Sequence, residues 1–374
     1  MKGGKVLGTG GYGCVVSPPI NCDPKSKKKI GISKLLIKKK NTAKKIKREV
    51  DASNYILSNK KKGFNPNTYF CLINETCNVN INNLKSRKDY DEILKFSNEF
   101  ETEKIMTLNQ TNCGIDMFYP EKLPTQKKLY NVLKDPVILH KNVKNLLTAL
   151  KHMKSLELVH LDIKPENLMI KNNLIKIIDF GGCIIVKNKK RKVLSDFTFT
   201  PDYFPVEAAY VTASNIYEDK LKRYSYTYNL KYPRTEKQEN LINTIVAFLE
   251  KNNSIIKNYH KGNDALIYKI DIYSLGRTLY EVCQQLKIRN KKLYDLLNNM
   301  KTSNFIERYN IEQCLSHPYI KNKPKKLPKK VTKSIIKTKT KAKPKTKAKP
   351  KTKAKPKTKA KAKPKTKAKT LGKQ

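Results

Sequence analysis

The sequence has no tryptophan, only 14 glycines and no apolar run approaching the about 18 residues that span a membrane. Its eight cysteines are scattered with no C-x-x-C pair, and no histidine lies at metal-ligand spacing from them. This spacing argues against structural zinc and favours a reducing compartment. Because the first motif begins already at Leu7, we expect no signal peptide. These features predict a soluble intracellular protein.

Acidic residues are also scarce, because 80 lysines and arginines face only 31 aspartates and glutamates, giving a formal net charge of +49. From Lys321 onward the chain has 25 lysines and no acidic residue, which leaves about +24 on the residues before it. Hydrophobic residues make up 38% of the chain, enough for a core. The length suits one domain of about 300 residues plus a further segment.

That further segment, residues 323–374, repeats the pattern KAKPKT from about Lys341. In the repeat, regular proline blocks a helix and nothing apolar is available to bury, so we predict a disordered, extended tail. A flexible polycation gains affinity for DNA or RNA from counterion release, without base specificity. The alternative, which stays open, is a solubilising or nuclear-import tail.

The segment VHLDIKPENLMI in the middle of the chain carries His160, Asp162, Lys164 and Asn167, and Asp179-Phe-Gly follows it. Each residue alone would suit a helix cap or a turn. Together they have the spacing of the protein-kinase catalytic loop and its metal-binding Asp-Phe-Gly, so the chain resembles a protein kinase. The resemblance implies an α+β, bilobal fold with a small β-rich N-lobe and a larger helical C-lobe.

The same resemblance implies a role for each polar residue of the loop. Asp162 would accept the proton of the substrate hydroxyl, and Lys164 would steady the transferred phosphate. Asn167 and Asp179 would hold Mg²⁺, with Mn²⁺ as the alternative ion, beside ATP. The lysine at 164 favours serine/threonine over tyrosine as the residue that is phosphorylated.

Residues 7–16 read LGTGGYGCVV, a glycine-rich pattern that lets backbone amides approach phosphates. The same pattern opens dinucleotide-binding units, but those need a helix directly after the last glycine, and here Pro18 and Pro19 follow. The kinase reading therefore makes this segment part of the ATP site. Its members would be Leu7, Gly8, Gly10, Gly11, Tyr12, Gly13 and Val15, with Tyr12 at the loop tip.

A kinase also needs a strand lysine paired with a glutamate on the next helix. Four lysines are candidates, namely Lys34, Lys38, Lys39 and Lys40. Apolar residues recur at helical spacing from Thr42, with Glu49 at the edge of that face. We predict the pair Lys34 and Glu49, because a lysine at 38 leaves too little chain to end a strand and turn. Met169 would form the floor under the adenine.

Element boundaries follow from the pattern of apolar residues. TYFCLI (68–73) and KIMTLN (104–109) predict strands, the hinge lies near 110–113, and a long helix is predicted from Asn142. The kinase domain is predicted over 1–322, with the N-lobe over about 1–112 and the C-lobe over about 113–322. An insertion is predicted over about 208–268, with an extra helix within it.

Further motifs of the family follow the Asp-Phe-Gly. Thr200-Pro201-x-Tyr203 and PVE (205–207) resemble the end of an activation segment, and Glu207 would pair with Arg308. Asp271 would hold the backbone of the catalytic loop. The short stretch after it predicts that the usual substrate-docking helix is absent or replaced by the insertion.

Leu161 stands where many kinases have arginine, which places regulation by phosphorylation of the activation segment in doubt. The motifs together are similar to those of serine/threonine kinases of large nucleocytoplasmic DNA viruses. That resemblance implies protein substrates and a location in host cytoplasm or nucleus, or in the virion, and leaves the oligomeric state open. Two alternatives stay open: a catalytically weak pseudokinase scaffold and a nucleic-acid packaging protein.

Overall fold

A computed structural model describes residues 4–10, 13–22, 31–38, 40–96, 105–117, 131–186, 203–205, 247, 251 and 266–324. Several predictions lie outside these residues: the loop tip Gly11 and Tyr12, Thr200 and Pro201, Glu207, the extra helix of the insertion apart from the helical residues 247 and 251, and the tail after 324. The described residues form a β-rich N-lobe and a helical C-lobe, which confirms the predicted bilobal fold.

The N-lobe is built on a five-stranded antiparallel sheet with the strand order β1-β2-β3-β5-β4. Its strands are β1 (Lys5–Gly10), β2 (Gly13–Ser17), β3 (Ile32–Ile37), β4 (Ile73–Val79) and β5 (Ile105–Gln110). Helix α1 (Lys40–Ser58) lies between β3 and β4 and packs Ile46 against Leu36 and Leu108 of the sheet. The predicted helix from Thr42 is thus present and begins two residues earlier.

Two short helices that the apolar pattern did not indicate, α2 (Ile81–Lys85) and α3 (Tyr90–Phe96), connect β4 to β5. They bury Leu84 and Ile93 in a cluster with Val16 and Leu35 of the sheet. Asn80 caps α2 by accepting the backbone N–H of Asn82 at 2.9 Å. These two helices therefore cover one face of the N-lobe sheet.

The strand predicted at TYFCLI does not cover these residues, apart from Ile73. Residues 66–68 form a 3-10 turn, and β4 begins only at Ile73. Phe70 and Leu72 are buried because this segment passes through the core beside β9, and Phe70 forms an isolated bridge with Ile177. Alternating apolar residues here reflect burial on a crossing segment and not membership of the sheet.

The C-lobe contains five helices and two small sheets in the described residues. The helices are α4 (Pro136–Ser155), α5 (Tyr268–Gln285), α6 (Lys291–Met300), α7 (Ile311–Ser316) and α8 (Pro318–Lys321). The strands are β6 (Ile115–Asp116), β7 (Leu158–Val159), β8 (Leu168–Lys171), β9 (Leu174–Ile177) and β10 (Ile184–Ile185). The sheet β6-β8-β9 presents the catalytic segment, while β7 pairs with β10.

Helix α4 begins at Pro136, six residues before the predicted start at Asn142. The carboxylate of Asp135 accepts the backbone N–H groups of Val137 at 2.8 Å and Ile138 at 3.2 Å, and proline suits the first helical position. The apolar face of α4 packs in the main core with α5 and α6. Residues 286–290 join α5 directly to α6.

Four of the eight cysteines form two disulfides, Cys22–Cys77 and Cys71–Cys113, and Cys14, Cys183, Cys283 and Cys314 are buried thiols. The scattered cysteine spacing predicted neither of these disulfides. The partners lie 55 and 42 residues apart and become neighbours only in the fold. In the described part of the chain, no helix is long and apolar enough to span a membrane.

Candidate active site

The ammonium group of Lys34 lies between two carboxylates in the cleft between the lobes. Its Nζ is 3.1 Å from Oε2 of Glu49 on α1 and 3.4 Å from Oδ2 of Asp179. Strand β3 aims Lys34 at the cleft because it pairs with Val15 on one side and Leu108 on the other. Lys38, which was the first rival candidate, is exposed. The geometry thus brings together three predicted residues that are far apart in sequence.

Burial and neighbouring charges together shift the pKa values of Lys34, Glu49 and Asp179. Burial opposes the charge of Lys34, but Asp179 and Glu49 outweigh it and hold the Lys34 pKa above its ordinary value. Burial also works against the Asp179 carboxylate, yet Lys34 and Lys45 keep its pKa well below the usual range. For Glu49, burial dominates and raises the pKa despite Lys34. Asp179 is therefore the carboxylate that stays ionised most firmly.

The catalytic loop holds the side chain of Asp162 from both sides. Lys164 Nζ lies 2.9 Å from its Oδ1, and the amide nitrogen of Asn167 donates to its Oδ2 at 3.0 Å. The same amide donates to the Asp162 carbonyl oxygen at 2.7 Å. Because the Asp162 side chain is still 24% exposed, the oriented carboxylate faces solvent in the cleft.

The backbone of this loop is anchored from below by Asp271 on α5. Its two carboxylate oxygens accept the N–H groups of His160 at 2.6 Å and Leu161 at 2.9 Å. Leu161 has φ +64°, a left-handed conformation that is unusual for a branched residue, and it is 5% exposed. Leu161, which stands where many kinases have arginine, is therefore a buried apolar residue.

Ile178 connects the catalytic loop to Asp179. Its N–H donates to the Asn167 carbonyl oxygen at 3.0 Å, and its own carbonyl oxygen lies 3.0 Å from Nε2 of His160. Asp179 adopts φ 59° and accepts the N–H of Gly181 at 3.3 Å. These bonds fix the backbone on which Asn167 and Asp179, the two candidate metal ligands, are carried.

The glycine-rich segment contributes the antiparallel strands β1 and β2. Among the described residues, no heavy atom lies within 4 Å of the position that a Cβ on Gly8 would take. At Gly13 a Cβ would meet the Leu35 carbonyl oxygen at 1.9 Å, which only glycine avoids. Leu7 is exposed, Gly10 ends β1, and Val15 is half-buried on β2.

The residues predicted as the hinge, 110–113, run from the last residue of β5 towards β6. Gly114 has φ +106° and passes so close to β8 that a Cβ would lie 2.0 Å from the Ile170 carbonyl oxygen. Met169, the predicted floor under the adenine, pairs with Asp116 of β6 and is half-buried. Met169 and the two residues of β6 that follow the hinge therefore belong to one small sheet.

Three features of the structure were not predicted from the sequence. Lys45 of α1 approaches Asp179, and its Cε lies 2.7 Å from where a Cβ on Gly181 would be. One carboxylate oxygen of Glu166 is buried without a hydrogen-bond partner in the described residues. Tyr203 donates to Glu281 of α5 at 2.6 Å. Lys45 falls four residues before Glu49 on the same helix, a spacing that could have indicated a shared face.

These residues fit a nucleotide with a divalent ion. Asp179 is kept ionised, and the Asn167 amide nitrogen is used by Asp162, which leaves its oxygen for a hard cation. The described residues contain no group of three or more histidine, cysteine or acidic side chains placed to hold a metal. An ion here would therefore take its other ligands from phosphate and water oxygens.

Comparison with protein families matches residues 1–320 to the protein kinase domain. The chain is 43% identical over 68 residues to death-associated protein kinase dapk-1 of Caenorhabditis elegans, covering 17% of this chain and 5% of that protein. It is 30% identical over 150 residues to serine/threonine-protein kinase Nek11 of Macaca fascicularis, covering 38% and 23%. It is 25% identical over 276 residues to meiosis-specific serine/threonine-protein kinase mek1 of Schizosaccharomyces pombe, covering 67% and 51%.

The chain thus spans less than a quarter of the first two relatives and about half of the third. The family match is much broader, because residues 1–320 include both lobes and every described residue of the site. The chain belongs to the protein kinase family.

Proposed function

We propose that the protein is a serine/threonine kinase that transfers the γ-phosphate of ATP to serine or threonine hydroxyls of protein substrates. The observation that carries this proposal is the joint placement of Lys34, Glu49 and Asp179 beside a catalytic loop whose Asp162 is oriented by Lys164 and Asn167. A family member that had lost catalysis would be expected to lack at least one of these charges. All of them are present.

Each residue of the site has a role in this reaction. Asp162 accepts the proton of the substrate hydroxyl as its oxygen bonds to the γ-phosphorus and the bond to the ADP oxygen breaks. Lys34 binds phosphate oxygens of ATP and is positioned by Glu49, while Lys164 neutralises charge on the transferred group. Asn167 and Asp179 would hold Mg²⁺, or Mn²⁺, which supplies positive charge to the phosphates.

The glycine-rich hairpin would cover the nucleotide. Leu7, Val15 and Met169 offer apolar contacts to the adenine, and Gly8, Gly10, Gly11, Tyr12 and Gly13 form the segment over the phosphates. Gly8 has the open space that this role needs. Lys164 supports serine and threonine as acceptors, by resemblance to kinases of that class.

The test is transfer of labelled γ-phosphate from ATP with Mg²⁺ to one basic and one acidic protein substrate. We expect transfer by the intact chain, and a loss of at least about 10²-fold in Asp162→Asn and Asp179→Asn. Lys47→Met is the matched control, since Lys47 is an exposed lysine on α1 that pairs only locally with Asp51. Nucleotide binding without transfer to either substrate would support the pseudokinase scaffold instead.

A second proposed activity belongs to the tail after residue 322, which carries lysine at almost every second position. We infer that it binds nucleic acid without base specificity, through its phosphates. The full chain and a form ending at Lys326 should then differ strongly in DNA affinity, with a steep salt dependence only in the full chain. Equal DNA binding by both forms would contradict this proposal, and kinase activity of the shortened form separates the two functions.

We also infer, from the motifs in the sequence, a relation to the kinases of large nucleocytoplasmic DNA viruses. This inference implies nucleoprotein-associated substrates, on which the tail would concentrate the kinase. The relevant comparison is the ratio of phosphorylation of DNA-bound to free substrate. A ratio that does not fall when the tail is removed would overturn the concentrating role.

A further inference from the structure

The disulfide Cys71–Cys113 joins the hinge to a short segment that is itself fixed against the strand leading to Asp179. Cys113 follows β5 in the connection between the lobes, and Cys71 lies just before β4. Both cysteines are 3% exposed. No part of the kinase chemistry described above requires this bond.

The segment that carries Cys71 is anchored independently of the disulfide. The N–H of Cys71 donates to the Ile177 carbonyl oxygen at 2.9 Å, and the N–H of Ile177 donates to the Tyr69 carbonyl oxygen at 3.0 Å. The ring of Phe70 meets Phe180 edge to face with centroids 5.7 Å apart, and Phe70 is 1% exposed. Ile177 is two residues before Asp179, so this anchor belongs to the rigid part of the site.

Among the described residues, hinge residues 111–113 have fewer such contacts. Cys113 Sγ is bonded to Cys71, whose sulfur also lies 3.0 Å from the Thr111 carbonyl oxygen. The Lys171 ammonium contacts the Asn112 carbonyl oxygen at 2.9 Å, and the Asn112 side chain accepts the Gly114 N–H at 2.9 Å. The lysine is exposed, the Asn112 contact is local, and the close approach of Gly114 to Ile170 lies beyond Cys113 on the C-lobe side. The disulfide is therefore the strongest link from the hinge to the anchor.

We propose that Cys71 and Cys113 are positioning residues, whose disulfide holds the hinge in the nucleotide-binding conformation and makes nucleotide affinity redox-sensitive. The proposal rests on the proposed kinase function, because it takes the hinge as part of the ATP site. A dithiol reductant would supply two electrons and two protons, becoming a cyclic disulfide and leaving two thiols. The Cys71 thiol would then have an acceptor in the Thr111 carbonyl oxygen, 3.0 Å from its sulfur, while the hinge loses its covalent link.

Reduction of the Cys71–Cys113 disulfide should weaken nucleotide binding more than it lowers kcat. The anchor keeps its bonds to Ile177 and Phe180, so Asp179 stays in place and kcat at saturating ATP is retained. The hinge must instead be ordered when nucleotide binds, which we expect to weaken binding and raise KM for ATP about three- to tenfold. By linkage, Mg·ADP should shift the thiol–disulfide equilibrium towards the disulfide by the same factor.

The experiment uses the full chain purified without reductant, with Mg·ADP as the probe in calorimetry and ATP in kinetics. Alkylation followed by peptide mapping should show Cys71 linked to Cys113. Cys113→Ser should bind Mg·ADP about three- to tenfold more weakly with kcat retained, and should not respond to dithiothreitol. Cys77→Ser, which removes only the Cys22–Cys77 disulfide, is the matched control and should keep both wild-type affinity and the response.

Alkylation of Cys71 and Cys113 as free thiols in the unreduced protein would overturn the proposal, as would a Cys113→Ser variant with wild-type affinity. If Cys113→Ser does not fold, the same comparison is made between oxidised and reduced Cys77→Ser. Equal Mg·ADP affinity in those two states would also overturn it. Absence of nucleotide binding in every form is a different outcome, because it contradicts the proposed kinase function itself.

Discussion

Leu161 donates its backbone N–H to the carboxylate of Asp271 at 2.9 Å while its side chain is buried in a left-handed conformation. The neighbouring N–H of His160 donates to the other oxygen of the same carboxylate. A single buried side chain on α5 therefore fixes the two residues that precede Asp162. The catalytic aspartate takes its position from the helical core of the C-lobe.

Asp271→Asn tests this anchor. The amide keeps one acceptor oxygen, but its NH₂ group faces a backbone N–H, so one buried donor loses its partner. We expect a loss of about 1–3 kcal/mol in the free energy of unfolding and a lower kcat, with ATP affinity largely retained. Chemical denaturation and steady-state kinetics measure the two effects. Unchanged kcat would contradict a positioning role for Asp271.

Substitutions in the pair Lys34 and Glu49 should affect protein stability and kinase activity differently. Lys34→Met leaves the 4% exposed Glu49 without its ammonium partner, which should cost about 3 kcal/mol of stability. Adding Glu49→Leu removes the stranded charge, so the double variant should recover much of the stability while staying inactive. Denaturation midpoints and phosphate transfer are compared for the two variants. Recovery of activity in the double variant would rule out Lys34 as the phosphate ligand.

Gly13 and Gly8 should respond differently to alanine. A Cβ at Gly13 would overlap the Leu35 carbonyl oxygen, so Gly13→Ala should push β2 from β3 and destabilise the protein by about 1–3 kcal/mol or more. Gly8→Ala places its methyl group in open space, so the fold should keep its stability. Its effect should appear as a higher KM for ATP. Thermal unfolding with and without Mg·ATP distinguishes these outcomes.

His152 predicts a pH dependence of stability. It stacks on Phe64 with ring centroids 3.6 Å apart, and its Nε2 has no hydrogen-bond partner among the described residues. Burial, with Lys61 nearby, lowers its pKa. The folded state therefore favours neutral imidazole, and this contribution is complete above about pH 6.5 and lost as the pH falls below it.

His152→Phe should remove that acid sensitivity while keeping the ring stack. The free energy of unfolding should fall less between pH 7.5 and pH 5.5 in the variant than in the wild type. His140→Phe is a comparison at another buried histidine, one that has a partner in the Ile320 carbonyl oxygen at 3.1 Å. Parallel pH profiles of wild type and His152→Phe would show that His152 does not titrate in this range.

Much of the site could be predicted because its functional residues lie close together in the sequence, at characteristic spacings. Asp162, Lys164 and Asn167 occupy one loop, and the glycine-rich pattern needs only consecutive residues. Lys34 and Glu49 required an argument about how much chain a strand end and a turn consume. The predictions failed where the same alternation of apolar residues can arise either from a strand or from a buried crossing segment. Phe70 and Leu72 are buried because their segment crosses beside β9, and the sequence pattern alone indicated a strand there.

The sequence by itself determined the family, the order of the elements and the charged residues available for phosphoryl transfer, because each depends on residue type and on distance along the chain. Only the tertiary structure decided which distant groups meet. It placed Lys45 beside Asp179, seated Asp271 beneath the catalytic loop and joined Cys71 to Cys113 across 42 residues. These contacts depend on how helices and strands pack, and packing is a property of the whole core that no local spacing contains.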